Sequence, residues 1–110
     1  MAPHLFTIKK RSTFVHIRNK GVFIRSKNIN VQKLLNQDLN GKIGVGFTAT
    51  KKIGNAVKRN KAKRIMRELA KKILIKGKTN SYYVLIAKIS ILDTKFKILL
   101  EEMENIIDAK

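Results

Sequence analysis

Cysteine is absent from the 110 residues, which excludes disulfides and thiolate-bound metals and makes a reducing compartment the natural setting. No run of about 18 apolar residues occurs, and the opening MAPHLFTIKKRS lacks the apolar stretch of a signal peptide, so a soluble, cytoplasmic protein is expected. Acids are scarce, at seven against 25 Lys and Arg, for a formal charge of +18. Such an excess strains a compact chain by self-repulsion unless a polyanion neutralises it. Five of the seven acids (Asp93, Glu101, Glu102, Glu104 and Asp108) lie in the last eighteen residues, leaving residues 1–92 with 22 basic and 2 acidic side chains, a formal +20. Tryptophan is missing too, and no basic amphipathic helix carries the Trp or Phe/Leu face of an interfacial anchor. The expected partner is a nucleic acid, not a membrane.

The residues for unaided hydrolysis are also wanting. A nucleophile with its base, a carboxylate pair or a metal cluster would be needed. His4 and His16 are isolated, Asp38 and Glu68 form no metal-binding pattern, and the acids at 101–104 read as a solvated helix face. Neither GxGxxG nor a Walker A loop occurs.

The length suits one domain, 1–110, around a modest core. Ser12 or Thr13 can cap a short helix to about Lys20, with Phe14 and Ile17 at i and i+3 and Gly21 suited to a left-handed C-terminal position. VFIRSKNINVQKLL (22–35) reads as extended structure broken near Ser26-Lys27, and NQDLNG (36–41) as a turn. KIGVGFTAT (42–50) alternates, with Ile43, Val45, Phe47 and Ala49 on a core face and Gly44, Gly46, Thr48 and Thr50 on a bare one. Two glycines on one face of a strand mean either that something approaches the backbone closely or that a helix packs tightly or a bulge intervenes. From Asn55 to about Leu74 the period is helical, with Ala62, Ile65, Met66, Leu69 and Ile73 in one stripe and Asn60, Lys63, Arg64, Arg67 and Lys71 opposite. SYYVLIAKI (81–89) has the apolar continuity of a central strand. A last helix, with Asp93 as its N-cap, aligns Phe96, Leu99, Leu100, Met103, Ile106 and Ile107. The expected fold is α+β: an αβββαβα sandwich on one main sheet.

The segment KKIGNAVKRNKAKRIMRE (51–68) concentrates the charge, with eight cations before its final acid. Lys63 and Arg67 repel at i,i+4, Glu68 alone lies within reach of Arg64, and Lys51, Lys52, Lys58 and Arg59 crowd a helix start that favours acids. A bound anion removes the conflict, with backbone N–H groups at Gly54-Asn55 facing a phosphate. The face holds mostly Lys and Arg with one Asn, which suits backbone and shape recognition over base reading.

GNAVKRNKAKRIMRE resembles the signature of the bacterial ribonuclease P protein subunit, an Arg-Asn-Arg core after Gly-Asn-Ala-Val. Lys51-Lys52, the strand at 42–50, Phe14 with Gly21, and Ala87-Lys88 match the family pattern around it, so the likeness spans roughly 10–107. Two positions depart: Lys61 replaces the third Arg and loses its planar fork, and Arg18 stands where many members have a second aromatic. The resemblance implies a left-handed β-α-β crossover through the basic helix, opposite to the usual hand. It also implies no catalytic residue or cofactor on the protein, because the RNA subunit holds the active site and its Mg²⁺. Lys51, Lys52, Asn55, Arg59, Asn60, Lys61, Lys63, Arg64 and Arg67 would contact that catalytic RNA. Phe14, Ile17, Arg18 and Lys88 would line a cleft for the 5′ leader of precursor tRNA, with Phe14 either in the cleft or in the core. No obligate protein partner is evident. A small ribosomal RNA-binding protein and a nucleoid-type DNA-binding protein are the alternatives.

Overall fold

The computed structural model describes residues 4–74 and 78–108. Five strands form one sheet: β1 (Leu5–Thr7), β2 (Val22–Ile24), β3 (Ile29–Leu35), β4 (Ile43–Thr48) and β5 (Ser81–Ala87). Their spatial order is β1-β4-β5-β3-β2, with β1, β4 and β5 parallel and β3 and β2 antiparallel to their neighbours. Three helices pack on it: α1 (Arg11–Lys20), α2 (Ala56–Ile73) and α3 (Phe96–Asp108). The expected α+β order holds, with β1 added in front. Three residues carry too little alternation to announce a strand, and β1 exists because β4 offers it a parallel edge, from Leu5 opposite Ile43 to Thr7 opposite Val45.

The central strand β5 is buried on both sides, which explains its unbroken apolar run. Tyr83 and Leu85 enter the main core with Val31, Val45, Met66, Leu69, Leu99 and Met103, beneath α2 and α3. Val84 faces the other way into a smaller cluster with Ile8 and Ile17, beneath α1. Met66 and Leu69 are wholly enclosed, and each such side chain contributes roughly 1.5–3 kcal/mol, so the apolar stripe of α2 fixes which face the helix shows to solvent.

Four local expectations are corrected. The N-cap of α1 is Lys10, with no side-chain cap bond, and Ser12 and Thr13 lie inside the helix. Gly21 is extended (φ −82°), not left-handed; glycine is required there because a Cβ would stand 2.6 Å from the Ile17 carbonyl oxygen and 2.7 Å from that of Lys33. Asp93 ends a 3₁₀ turn (Ile89–Asp93) and does not cap α3; Thr94 follows it, with Oγ1 2.7 Å from the Ser90 carbonyl and 3.1 Å from Asn28 Oδ1.

The fourth concerns the acids at 101–104, because Glu102 is a strut and not a solvated charge. Its carboxylate accepts from Ser26 Oγ (2.6 Å), the Asn28 backbone N–H (2.7 Å), Asn28 Nδ2 (2.7 Å) and the Ile29 N–H (3.2 Å). Burial alone would raise the Glu102 pKa, but these donors outweigh it and hold the carboxyl below the ordinary value. The bend between β2 and β3 is thereby tied to α3.

Candidate nucleic-acid interface

The Gly-Asn step has a local mechanical reason. Lys51–Ile53 form a 3₁₀ turn, and the chain then turns into α2 through Gly54 at φ 137°, a backbone region that L side chains rarely adopt. Asn55 is the N-cap of α2, its Oδ1 accepting from the Lys58 N–H at 3.1 Å. The side-chain oxygen of Asn55 is therefore spent on the helix, and what it can offer an RNA is its amide NH₂. With Ile53, Ala62 and Met66 buried, Asn60, Lys61, Arg64 and Arg67 are left exposed, and Arg59 and Lys63 half-buried.

Among the described residues, none of Lys58, Arg59, Lys61, Lys63, Arg64 and Arg67 has a carboxylate within 4 Å. Glu68, in sequence the reachable partner of Arg64, instead meets Lys71 at 3.8 Å, and both are well exposed. The face is thus a positive surface on a rigid helix with little internal neutralisation. Among the same residues no three His, Asp or Glu side chains gather in a way that could hold a metal ion, and no helix is long and apolar enough to cross a membrane.

On the opposite side of the sheet lies α1, packed over β3 and β5. The sheet register sets Phe23, Gln32, Val84 and Gly46 in one row and Asn30, Ile86 and Thr48 in the next. The Phe14 ring lies on Gly46, so that glycine is answered by close helix packing, whereas Gly44 is covered by the Phe6 and Tyr82 rings of the neighbouring strands β1 and β5. Phe14 is half-buried and joins the small cluster with Ile17, Tyr82 and Ile86, which gives it a core contact and an accessible portion together.

Ile17 is fully buried and has no surface to present to a ligand; it sits in the small cluster with Ile8 and Val84 against which Phe14 packs. Arg18 is exposed. Lys88 is exposed as well, and its ammonium donates to the Ser26 carbonyl at 2.7 Å, bracing the bend that Glu102 holds from below.

Sequence reasoning missed Asn30 and Gln32 on the α1 face of the sheet, and Phe23, 44 % exposed, with the Arg25 guanidinium 5.5 Å from its ring centroid. The signal was the alternation of β3, where Ile29 and Val31 are buried and Asn30 and Gln32 must face the other way. Sequence reasoning also separated Lys51 and Lys52 from Lys88. All three line a single groove of about 730 Å³ with Asn30, Ile86 and Ile89, which runs from that face of the sheet to the turn before α2.

The family model described as Ribonuclease P matches residues 3–110. The ribonuclease P protein component of Carboxydothermus hydrogenoformans is 30% identical over 100 residues, covering 91% of this chain and 86% of that one. That of Caulobacter vibrioides is 37% identical over 91 residues, covering 79% and 60%. The chain spans about three-fifths of the length of the first curated relatives it matches. Among solved structures, the RNase P protein of Staphylococcus aureus superposes with a TM-score of 0.81 at 27% identity, covering 94% of both chains. That of Thermotoga maritima gives 0.83 at 20% identity over 96% of this chain and 97% of the other, a likeness of fold.

Proposed function

The chain belongs to the ribonuclease P protein family, and on that premise we propose that it is the RNA-binding subunit of a ribonucleoprotein that removes the 5′ leader of precursor tRNA. Membership sets aside the ribosomal and nucleoid alternatives. The observation that carries the reading is the basic face of α2, where six cations, four of them exposed and two half-buried, have no carboxylate within 4 Å among the described residues. A surface of that kind is stable only with counter-charge, and an RNA backbone supplies it at regular spacing. Arg59, Lys61, Lys63 and Arg64 contact the catalytic RNA through phosphates, with Asn60 and the Asn55 amide as hydrogen-bond donors.

The cleft between α1 and the sheet takes the single-stranded leader. Phe14 and Phe23 offer ring faces on which any base can stack, Asn30 and Gln32 offer polar edges, and Arg18, Lys88, Lys51 and Lys52 draw the backbone along the groove. Continuity between that groove and the opening of α2 lets one protein hold the leader against the catalytic RNA, so positioning is its contribution. The chemistry and its Mg²⁺ belong to the RNA.

The test is reconstitution from purified protein, transcribed RNA subunit and precursor tRNA. Cleavage at the mature 5′ end requires the RNA, and at low Mg²⁺ it requires both components. RNA-free protein that cleaves the precursor, or protein without effect on the RNA reaction, overturns the proposal.

A further inference from the structure

On the α2 side of the sheet a second, smaller groove opens at the β1 edge. The cause is the brevity of β1: its pairing with β4 ends at Thr7 opposite Val45, and the Ile8 N–H closes on the Val45 carbonyl at 2.8 Å before the chain turns away into α1. The Phe47 peptide faces the same edge as those of Ile43 and Val45, by the two-residue period of the strand, and among the described residues no strand lies beside it there. The Phe47 ring is half-exposed as a result, and the Arg67 guanidinium sits over it, 5.8 Å from Cζ to the ring centroid. Between them and β1 is a space of about 210 Å³, floored by Leu5 and Ala70 and rimmed by Thr7, Arg67 and Lys71.

These features describe a slot for one flat, electron-rich ring with an anion beside it. Two planar groups line the slot, the Phe47 ring and the Arg67 guanidinium over it, which stacks as an ammonium cannot. Its volume falls below the roughly 300–1,000 Å³ of drug-sized ligand sites, which fits a single ring system. An open strand edge supplies backbone donors and acceptors to the rim of that ring. Lys71, one helical turn beyond Arg67, is placed for a neighbouring phosphate, and its pairing with Glu68 is exposed and weak. An apolar side chain from a protein partner would use the floor but neither the guanidinium plane nor the cationic rim. We infer that the Phe47–Arg67 groove holds one unpaired nucleobase of the RNA subunit, so that Arg67 acts by stacking and not as one more phosphate contact. The inference rests on the proposed function.

The experiment uses full-length protein and the transcribed RNA subunit. Phe47→Leu keeps apolar volume and removes the ring face, and Arg67→Lys keeps charge and removes the plane. Each variant weakens the complex by roughly 5- to 150-fold, the range of a lost base–aromatic stack. Each leaves the slope of log K against log salt unchanged, and each restores methylation reactivity to the same adenine or cytosine that wild-type protein shields. Arg67 is exposed, so Arg67→Lys tests the slot even if Phe47→Leu disturbs packing. Wild-type affinity for Arg67→Lys, or no shielded base that it uncovers, overturns the slot while the proposed function stands. Wild-type protein that fails to bind the RNA overturns both.

Discussion

The Phe14 ring and the Gly46 backbone meet so closely that a Cβ on Gly46 would stand 2.4 Å from Phe14 Cε1. That contact sets the depth at which α1 rides on the sheet, and with it the width of the cleft. Gly46→Ala must push the ring outward or tilt α1, at a cost of about 1–3 kcal/mol. Thermal unfolding will show the loss. In the assembled holoenzyme, affinity for precursor tRNA will fall while affinity for mature tRNA does not.

Phe14→Leu separates the two parts the residue plays. Most of its apolar volume stays, so stability changes little, whereas the stacking face is lost. Holoenzyme carrying this variant binds precursor tRNA with a leader of several nucleotides more weakly, by roughly 1–3 kcal/mol for one lost stack, and binds mature tRNA as before. Equal losses for both RNAs would remove Phe14 from the cleft.

Replacing Lys61 and Arg64 together by Gln takes two exposed cations from α2 without touching its buried stripe. Circular dichroism and the unfolding midpoint should be unaltered. The slope of log K for the RNA subunit against log salt should flatten by roughly one unit per lost phosphate contact. An unchanged slope would mean that this face looks out on solvent.

Glu102→Gln strikes the strut between α3 and the β2–β3 bend. Donors that face a carboxylate in the wild type face a neutral amide in the variant, which costs about 2–3 kcal/mol at neutral pH. The folded-state pKa of Glu102 lies below its unfolded value, so its stabilisation is complete above about 4.5 and is lost as pH falls through the depressed value. Urea unfolding between pH 7 and pH 3 should therefore give a shallower acid limb for the variant. Parallel curves would deny Glu102 that role.

Asn55→Ala tests the cap apart from the RNA. Losing the bond to the Lys58 N–H costs roughly 1 kcal/mol and frays the first turn of α2. RNA affinity should fall only as far as that fraying displaces Arg59 and Lys61, and Asn55→Asp, which keeps the capping oxygen, should restore the stability.

What could be read from the residues followed from periodicity. The stripe of α2, the apolar face of α3 and the double burial of β5 repeat often enough to declare themselves, and the signature on α2 could be placed on its exposed face without coordinates. Contacts between distant segments were not legible. Nothing near Glu102 announces that its partners are Ser26, Asn28 and Ile29, more than seventy residues upstream. Lys51 and Lys52 lie in the turn after β4 and Lys88 just after β5, and they share a groove because β4 and β5 run parallel and end together. Phe14 and Ile17 look alike on the helix. Which one is entombed depends on the sheet beneath them, where Gly46 leaves room for a ring.

Both outer strands of the sheet, β1 and β2, are three residues long. Lys9 and Lys10 follow the first, and Lys20 and Arg25 bracket the second. An edge this short and this charged offers a second copy too few backbone groups to pair with, at a Coulombic cost for trying. The sheet is thereby guarded against edge-to-edge aggregation despite the exposed Val22 and Phe23. The same lysines and arginines hold copies of the protein apart by like-charge repulsion.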